Sequence, residues 1–401
     1  MRLYVNESSK ADGKRVVLDD MLLTTDLPTT AGSKMLENYV SLFEADIISK
    51  LRNAGYSVCG KANIGEFAID LLGETSWFGA CVREDGTLTN ASAEILADDS
   101  IDAVICLDVN GAPRRAAALA NRVFIKPTYG TVSRYGTIPV ACSGETVSVM
   151  AASTAKCREA LSAIVGHDDK DGTSLSEAQC ALLKSDAERK AVKKVALASS
   201  LTASADEETK AKINAFRASL EAQGITVTEI DDQLLGAANT AWNVLMAAEL
   251  CNNVSRYEGV KFGYRSPNYT NIDELYTNSR TEAFGDLLKT TILFGSDVLS
   301  TDNYMKMYDK GLRVRRVISE AFAGIFKEYD AVLMPACSKC SYSEADVKAN
   351  KYIAYEENVY TAPASITGLP AVVVGGVQLV GAPFSDNSLL DAAEIYEKEH
   401  K

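Results

Sequence analysis

The stretch Lys193–Ile230 reads KKVALASSLTASADEETKAKINAFRASLEAQGITVTEI, and its reading decides the fold class. Lys193–Ala198 is a short apolar run of strand length. Asp206–Gln223 mixes charged and apolar residues at helical spacing, and Ile225–Ile230 is a second strand. Strand, helix and strand in succession point to an α/β protein. The same alternation extends outward. In Ala45–Ala54, Ile47, Ile48, Leu51 and Ala54 share one helical face, and Gly55 is a helix stop. Tyr56–Cys59 then reads as a strand. Ile101–Val109 (IDAVICLDV) is apolar and β-branched enough for a buried strand. Ser153 caps a helix whose face carries Cys157, Ala160, Leu161 and Ile164, ending near Gly166. Gln233–Tyr257 and Asn303–Glu328 are long helical patterns, and Asp330–Met334 and Ala371–Val374 are buried strands. No repeat, low-complexity tract or linker interrupts the series, so one large α/β domain over residues 1–401 is expected.

Composition narrows the function classes. The 401 residues are 47% hydrophobic and 24% charged, ordinary globular values that exclude disordered, collagenous and coiled-coil chains. No apolar run approaches the roughly 20 residues of a membrane span, and the polar Met1–Lys14 has no secretory h-region. A net charge of −13 argues against general nucleic-acid binding, which needs a positive footprint on phosphate. Nine irregularly spaced cysteines fit reduced thiols in a cytoplasm better than a disulfide framework.

Catalytic raw material is scarce. Of the two histidines, His167 sits in a polar turn and His400 is the penultimate residue, which removes most Ser-His and Cys-His schemes. Cys337 and Cys340 have C-x-x-C spacing. A redox pair would want an activating helix N-terminus, and zinc would want two more ligands, so both are expected to be incidental loop cysteines and no metal is expected. Gly73–Gly86 and Gly375–Gly376 match neither a dinucleotide fingerprint nor a P-loop, and no cofactor is expected.

Several segments together resemble the amidase signature family, in particular its glutamyl-tRNA(Gln)/aspartyl-tRNA(Asn) amidotransferase A-subunit branch. Thr30–Ala68 (TAGSKMLENYVSLFEADIISKLRNAGYSVCGKANIGEFA) is similar to the stretch that follows the family's catalytic lysine. Lys126–Gly136 (KPTYGTVSRYG), Ser255–Arg265 (SRYEGVKFGYR), Val314–Ile318 and Thr361–Ala371 (TAPASITGLPA) continue the likeness in the same order. The resemblance implies an α/β/α sandwich around a large mixed, twisted sheet. It also implies a Ser–cis-Ser–Lys triad with backbone amides of a glycine pair holding the oxyanion.

The residues that carry this chemistry in the family are replaced. Val17-Leu18-Asp19-Asp20 stands where the family writes V-K-D-N, so Leu18 takes the base position. Cys106–Arg114 stands where the family writes G-S-D-T-G-G-S-I-R, which puts Ala112 at the nucleophile and Val109, Asn110 and Gly111 in the oxyanion loop. The bridging serine, placed by its spacing from the nucleophile, falls on Leu88. Asn110 replaces a glycine, where a side chain is expected to restrict the backbone. The chain is also shortened before the lysine strand and around Ala371–Gly381. Asp108, Arg114 and Arg315 match the family, and Asn358 stands near its substrate-contacting acid. These four form a candidate residual pocket, with backbone pinning the plainer role for the first three.

The resemblance thus implies a non-catalytic pseudoenzyme that binds a ligand or a protein partner, such as amidotransferase B or C subunits or another amidase. A working amidase or amidotransferase A subunit is the alternative. A third possibility is new chemistry on Cys106, Cys142 or Lys126, for which no nearby histidine or paired acid supplies a base. Leu18 and Leu88 are expected to converge on Ala112 in a shrunken, largely apolar pocket.

Overall fold

In the computed structural model, which describes residues 1–8, 13–185 and 189–400, Lys194–Ala198 and Thr226–Ile230 are parallel neighbours in one sheet. The helix Glu207–Ala222 joins them, and its N-cap Asp206 accepts from the Thr209 amide at 2.8 Å. That cap satisfies one of the amides a helix start leaves free. The expected segments Ala45–Ala54, Ile101–Val109 and Gln233–Tyr257 appear as Asp46–Asn53, Ala103–Asp108 and Gln233–Val254. The pattern over Asn303–Glu328 becomes a shorter helix, Tyr308–Ile325. Its expected start instead forms turns, in which the Ser300 and Asn303 carbonyls accept from nearby amides.

Among the described residues eleven strands share the sheet. They are β1 (Tyr4–Glu7), β2 (Lys14–Asp19), β3 (Tyr56–Ala62), β4 (Ala103–Asp108), β5 (Val123–Lys126), β6 (Thr146–Ala151), β7 (Lys194–Ala198), β8 (Thr226–Ile230), β9 (Ala331–Pro335), β10 (Ala371–Val374) and β11 (Val377–Gly381). Their order is β1-β3-β2-β4-β6-β5-β10-β11-β9-β7-β8. The sheet is mixed: β2 runs parallel to β3 and β4, whereas β4, β6, β5, β10, β11 and β9 are antiparallel to one another in turn.

The two-residue period of a strand sends alternate side chains to opposite faces. In β4, Ala103, Ile105 and Leu107 enter one core and Val104 and Cys106 the other. The helix Thr154–Ile164 packs Cys157, Ala160 and Leu161 into the first core, and the helix Ala112–Leu119 packs Ala116, Ala117 and Ala118 into the second. Helices therefore cover both faces, giving an α/β/α sandwich. The segment Ala371–Gly381 is a tight hairpin in which Val374 pairs with Val377. Its two-residue turn needs positive φ twice, and Gly375 and Gly376 supply +59° and +84°.

Candidate functional site

Strand β4 delivers the chain to the start of the helix Ala112–Leu119 through a turn that only glycine can complete. Gly111 caps that helix at φ +80°, and a Cβ there would lie 2.4 Å from Thr361 Oγ1. Its amide donates to Asp108 Oδ1 at 3.1 Å, so that N–H is already occupied. The Asp108 carboxylate also receives Arg114 Nε at 2.7 Å and Nη2 at 3.3 Å, with both side chains fully buried. The remaining Arg114 donors go to Thr361 O (2.9 Å), Gln378 Oε1 (3.1 Å) and Ser365 Oγ (2.6 Å). The guanidinium fork is filled by the protein itself, which makes this pair a rivet between β4, β11 and the helix Ile353–Thr367.

In front of the turn lies a second polar network. Asn110 Nδ2 donates to Ile69 O at 2.9 Å, while Asn110 Oδ1 accepts from Asn358 Nδ2 at 2.6 Å and from Trp242 Nε1 at 3.3 Å. Asn358 also donates to Asn243 Oδ1 at 2.8 Å. Arg115 donates to Leu71 O and Asp70 O, each at 3.0 Å, and to Asn358 Oδ1 at 3.3 Å. Asn110 and Trp242 are each 1% exposed and Ala112 is 5% exposed. Asn110 does not adopt a positive φ, the conformation that a glycine there could reach freely. The Asn110 side chain is thus the hub of a buried polar plug, bonded to the Ile69 carbonyl, Asn358 and Trp242 just before the helix terminus in sequence.

The expected convergence of Leu18 and Leu88 is corrected by the sheet. Both are buried, but Leu18 belongs to the core on one face with Val16, whereas Leu88 lies in the core on the other face with Val17. A shift of one position along a strand reverses the face. Only Leu88 therefore shares a core with the Ala112–Leu119 helix, and the side chains that flank Ala112 in sequence, Asn110, Arg114 and Arg115, are hydrogen-bonded. Leu88 is held by its amide, which donates to Tyr342 O at 2.7 Å. Val109 is buried in the first core. Arg315 donates to Ser143 O at 2.8 Å and stands outside the two networks that bring Asp108, Arg114 and Asn358 together.

The β2 side chain on the Leu88 face, one position beyond Leu18, is Asp19. It accepts from Ser92 Oγ at 2.7 Å and from the Leu107 amide at 3.2 Å. Burial is the largest cause that pushes its carboxyl up to about 7. Burial likewise drives the neighbouring Cys106 thiol upward, helped by the Asp19 and Asp108 charges. Cys142 is also raised, chiefly by burial, so neither thiol is poised as a thiolate nucleophile. Lys126 is brought down to about 7 by burial and by Arg114, and its Nζ donates to Leu369 O at 3.0 Å. Cys337 donates to Lys339 O at 3.2 Å, and Cys340 faces Thr209 Oγ1 at 3.4 Å. Period-two alternation through Val17 and Asp19 was the sequence signal that could have singled out Asp19. Trp242 and Asn243 carry no local signal.

Comparison with known proteins agrees with this architecture. The glutamyl-tRNA(Gln) amidotransferase A subunit of Coxiella burnetii is 33% identical over 418 aligned positions, covering 99% of this chain and 86% of that protein. Its namesake from Lachnoclostridium phytofermentans is 31% identical, covering 96% and 83%. The crystal structure of the Thermotoga maritima glutamyl-tRNA(Gln) amidotransferase A subunit superposes with a TM-score of 0.80 at 25% identity, covering 99% of this chain and 86% of that one. A family model described as amidase matches residues 6–390. The chain belongs to the amidase family.

Proposed function

We propose that this chain is a catalytically silent amidase-family protein that acts by binding. The observation that carries the reading is the helix terminus: Ala112, buried, offers a methyl where the resemblance puts a nucleophile, and Asn110 beside it is buried and bonded to Ile69 O and Asn358. The Gly111 amide is already engaged by Asp108, which removes one oxyanion donor. The partners proposed are amidotransferase B- or C-type subunits or another amidase, because the relatives at 33% and 31% identity are A subunits. A cytoplasmic setting is proposed on the nine free thiols.

Those same identities favour a second reading, a working amidase or glutamine-hydrolysing A subunit. Ala112 weighs against it, since no oxygen or sulfur stands at that position. The test is ammonia release from glutamine and asparagine, and anilide cleavage, by repurified protein. Rates at background are expected, with Ala112→Ser also silent because the Gly111 amide stays engaged by Asp108. Turnover that follows the protein peak through two orthogonal columns would establish the second reading instead. Affinity capture from the native cell then asks whether B- or C-type subunits come down.

A further inference from the structure

Two surface bays share Thr290 and Tyr352 as a common wall, with volumes of about 580 and 360 Å³. Both fall in the range of small-ligand pockets, roughly 300–1,000 Å³. The smaller bay is apolar, with Val244, Phe294, Tyr352 and Tyr355 in its lining. Asn243 also lines it, and Asn243 Oδ1 accepts from Asn358 at 2.8 Å. The bay thus reaches the polar plug without opening it. Leu293 and Tyr352, at 72% and 60% exposure, leave apolar surface at the larger bay.

The larger bay is cationic in a chain whose net charge is −13. Lys289, Lys348 and Lys351 line it beside Glu74 and Asp286. Lys289 faces Asp286 at 3.6 Å, and the Glu74 carboxylate already accepts from the Leu71 and Leu72 amides at 3.0 and 2.8 Å. Lys348 and Lys351 enter no ion pair among the described residues. The pattern is an apolar slot with two uncommitted ammonium groups along its extension, which is complementary to an apolar molecule ending in an anion.

The geometry points to a binding site for a small aryl or alkyl carboxylate, with its apolar body between Val244, Phe294 and Tyr352 and its carboxylate at Lys348 and Lys351. This rests on the binding role proposed above and gives it a ligand class.

The test uses the full chain carrying Trp77→Phe, which leaves Trp242, next to Asn243 and Val244 in sequence, as the single indole. The protein is titrated with 4-phenylbutyrate and with its neutral counterpart 4-phenylbutan-1-ol, read by indole fluorescence and calorimetry. The acid should bind saturably and about three- to five-fold more tightly than the alcohol, the scale of an exposed ion pair. Lys348→Met with Lys351→Met, both at the surface, should erase that preference, and Thr290→Phe, which adds no indole, should block both probes. No saturable binding, equal binding of acid and alcohol, or a preference that survives the double lysine change would overturn the site. Failure of the probes with hydrolysis still absent removes this site and leaves the non-catalytic reading standing. Glutamine turnover removes that reading whatever the probes do.

Discussion

Asn110→Ala measures how much of the fold hangs on the plug. The side chain makes three hydrogen bonds, to Ile69 O at 2.9 Å, from Asn358 at 2.6 Å and from Trp242 at 3.3 Å. Truncation leaves the Ile69 carbonyl without that donor and the indole N–H without that acceptor, while Asn358 keeps its bond to Asn243. A buried polar group stripped of its partner costs about 1–3 kcal/mol. The indole bond is long and sits at the low end, so the expected loss is about 3 kcal/mol. That is a large share of a typical stability of about 5–15 kcal/mol. Urea unfolding followed by far-ultraviolet dichroism should register it as a lower midpoint with an unchanged slope. Asn110→Asp is the size-matched control: it can still accept from Trp242 and Asn358, and once ionised it has no donor for Ile69 O. A carboxyl buried there has its pKa raised in the folded state, so this variant should lose further stability as pH rises from about 4 upward. A loss below about 0.5 kcal/mol for Asn110→Ala, the level of an ordinary surface change, would refute the plug as a structural element.

The other predictions use neighbouring groups. Arg114→Met strands the fully buried Asp108 carboxylate and should cost about 3–5 kcal/mol; Arg315→Met loses only the contact to the Ser143 carbonyl and should cost about 1 kcal/mol. The contrast is read by urea midpoints. Asp19 and Glu66 are both pushed up to about 7, chiefly by burial. Both bind protons more tightly folded than unfolded, so their stabilising effect is complete below the unfolded values near 4 and is lost as pH rises through about 7. Thermal midpoints should therefore fall between about pH 5 and 8, and Asp19→Asn should flatten the slope; a midpoint that rises over this window contradicts the assignment. We also propose that the chain unfolds as one domain, because β10 pairs with β5 and β11 with β9. Indole fluorescence and far-ultraviolet dichroism should then give coincident urea transitions.

The α/β alternation was readable because amphipathic helices and short apolar strands are local signals. Thus Asp206 and the helix after it fall within a residue of expectation. The hairpin at Ala371–Gly381 was only half readable: the first strand is plain, but the turn depends on two positive-φ glycines rather than on hydropathy. Ala112, Asn110 and Asn358 could be singled out by likeness to a family, and the structure brings their segments together. Leu18 could not be placed by likeness alone, since a match that is correct to within one residue still leaves the face of a strand undecided. The plug was not legible at all. Its members come from the neighbourhoods of Ile69, Asn110, Trp242 and Asn358, and nothing local in the sequence links an indole to an amide 132 positions away.

A working active site keeps polar groups ready for a substrate, and in the empty enzyme such groups are commonly under-satisfied. Around Ala112 the opposite holds. All five donors of Arg114 are matched, and Asn110 and Asn358 use both ends of their amides. Among the described residues the buried side-chain atoms with no hydrogen-bond partner are Asp46 Oδ2, Glu258 Oε2 and Asp309 Oδ2, none of which belongs to these networks. Loss of a nucleophile alone would leave a gap and unpaired donors beside it. What stands there instead is a closed network in which Asn110, the residue that the family resemblance sets at a glycine position, supplies the central bonds. We take that closed network as support for the non-catalytic reading proposed above, under which binding falls to the outer surface, where the bays beside Tyr352 are open.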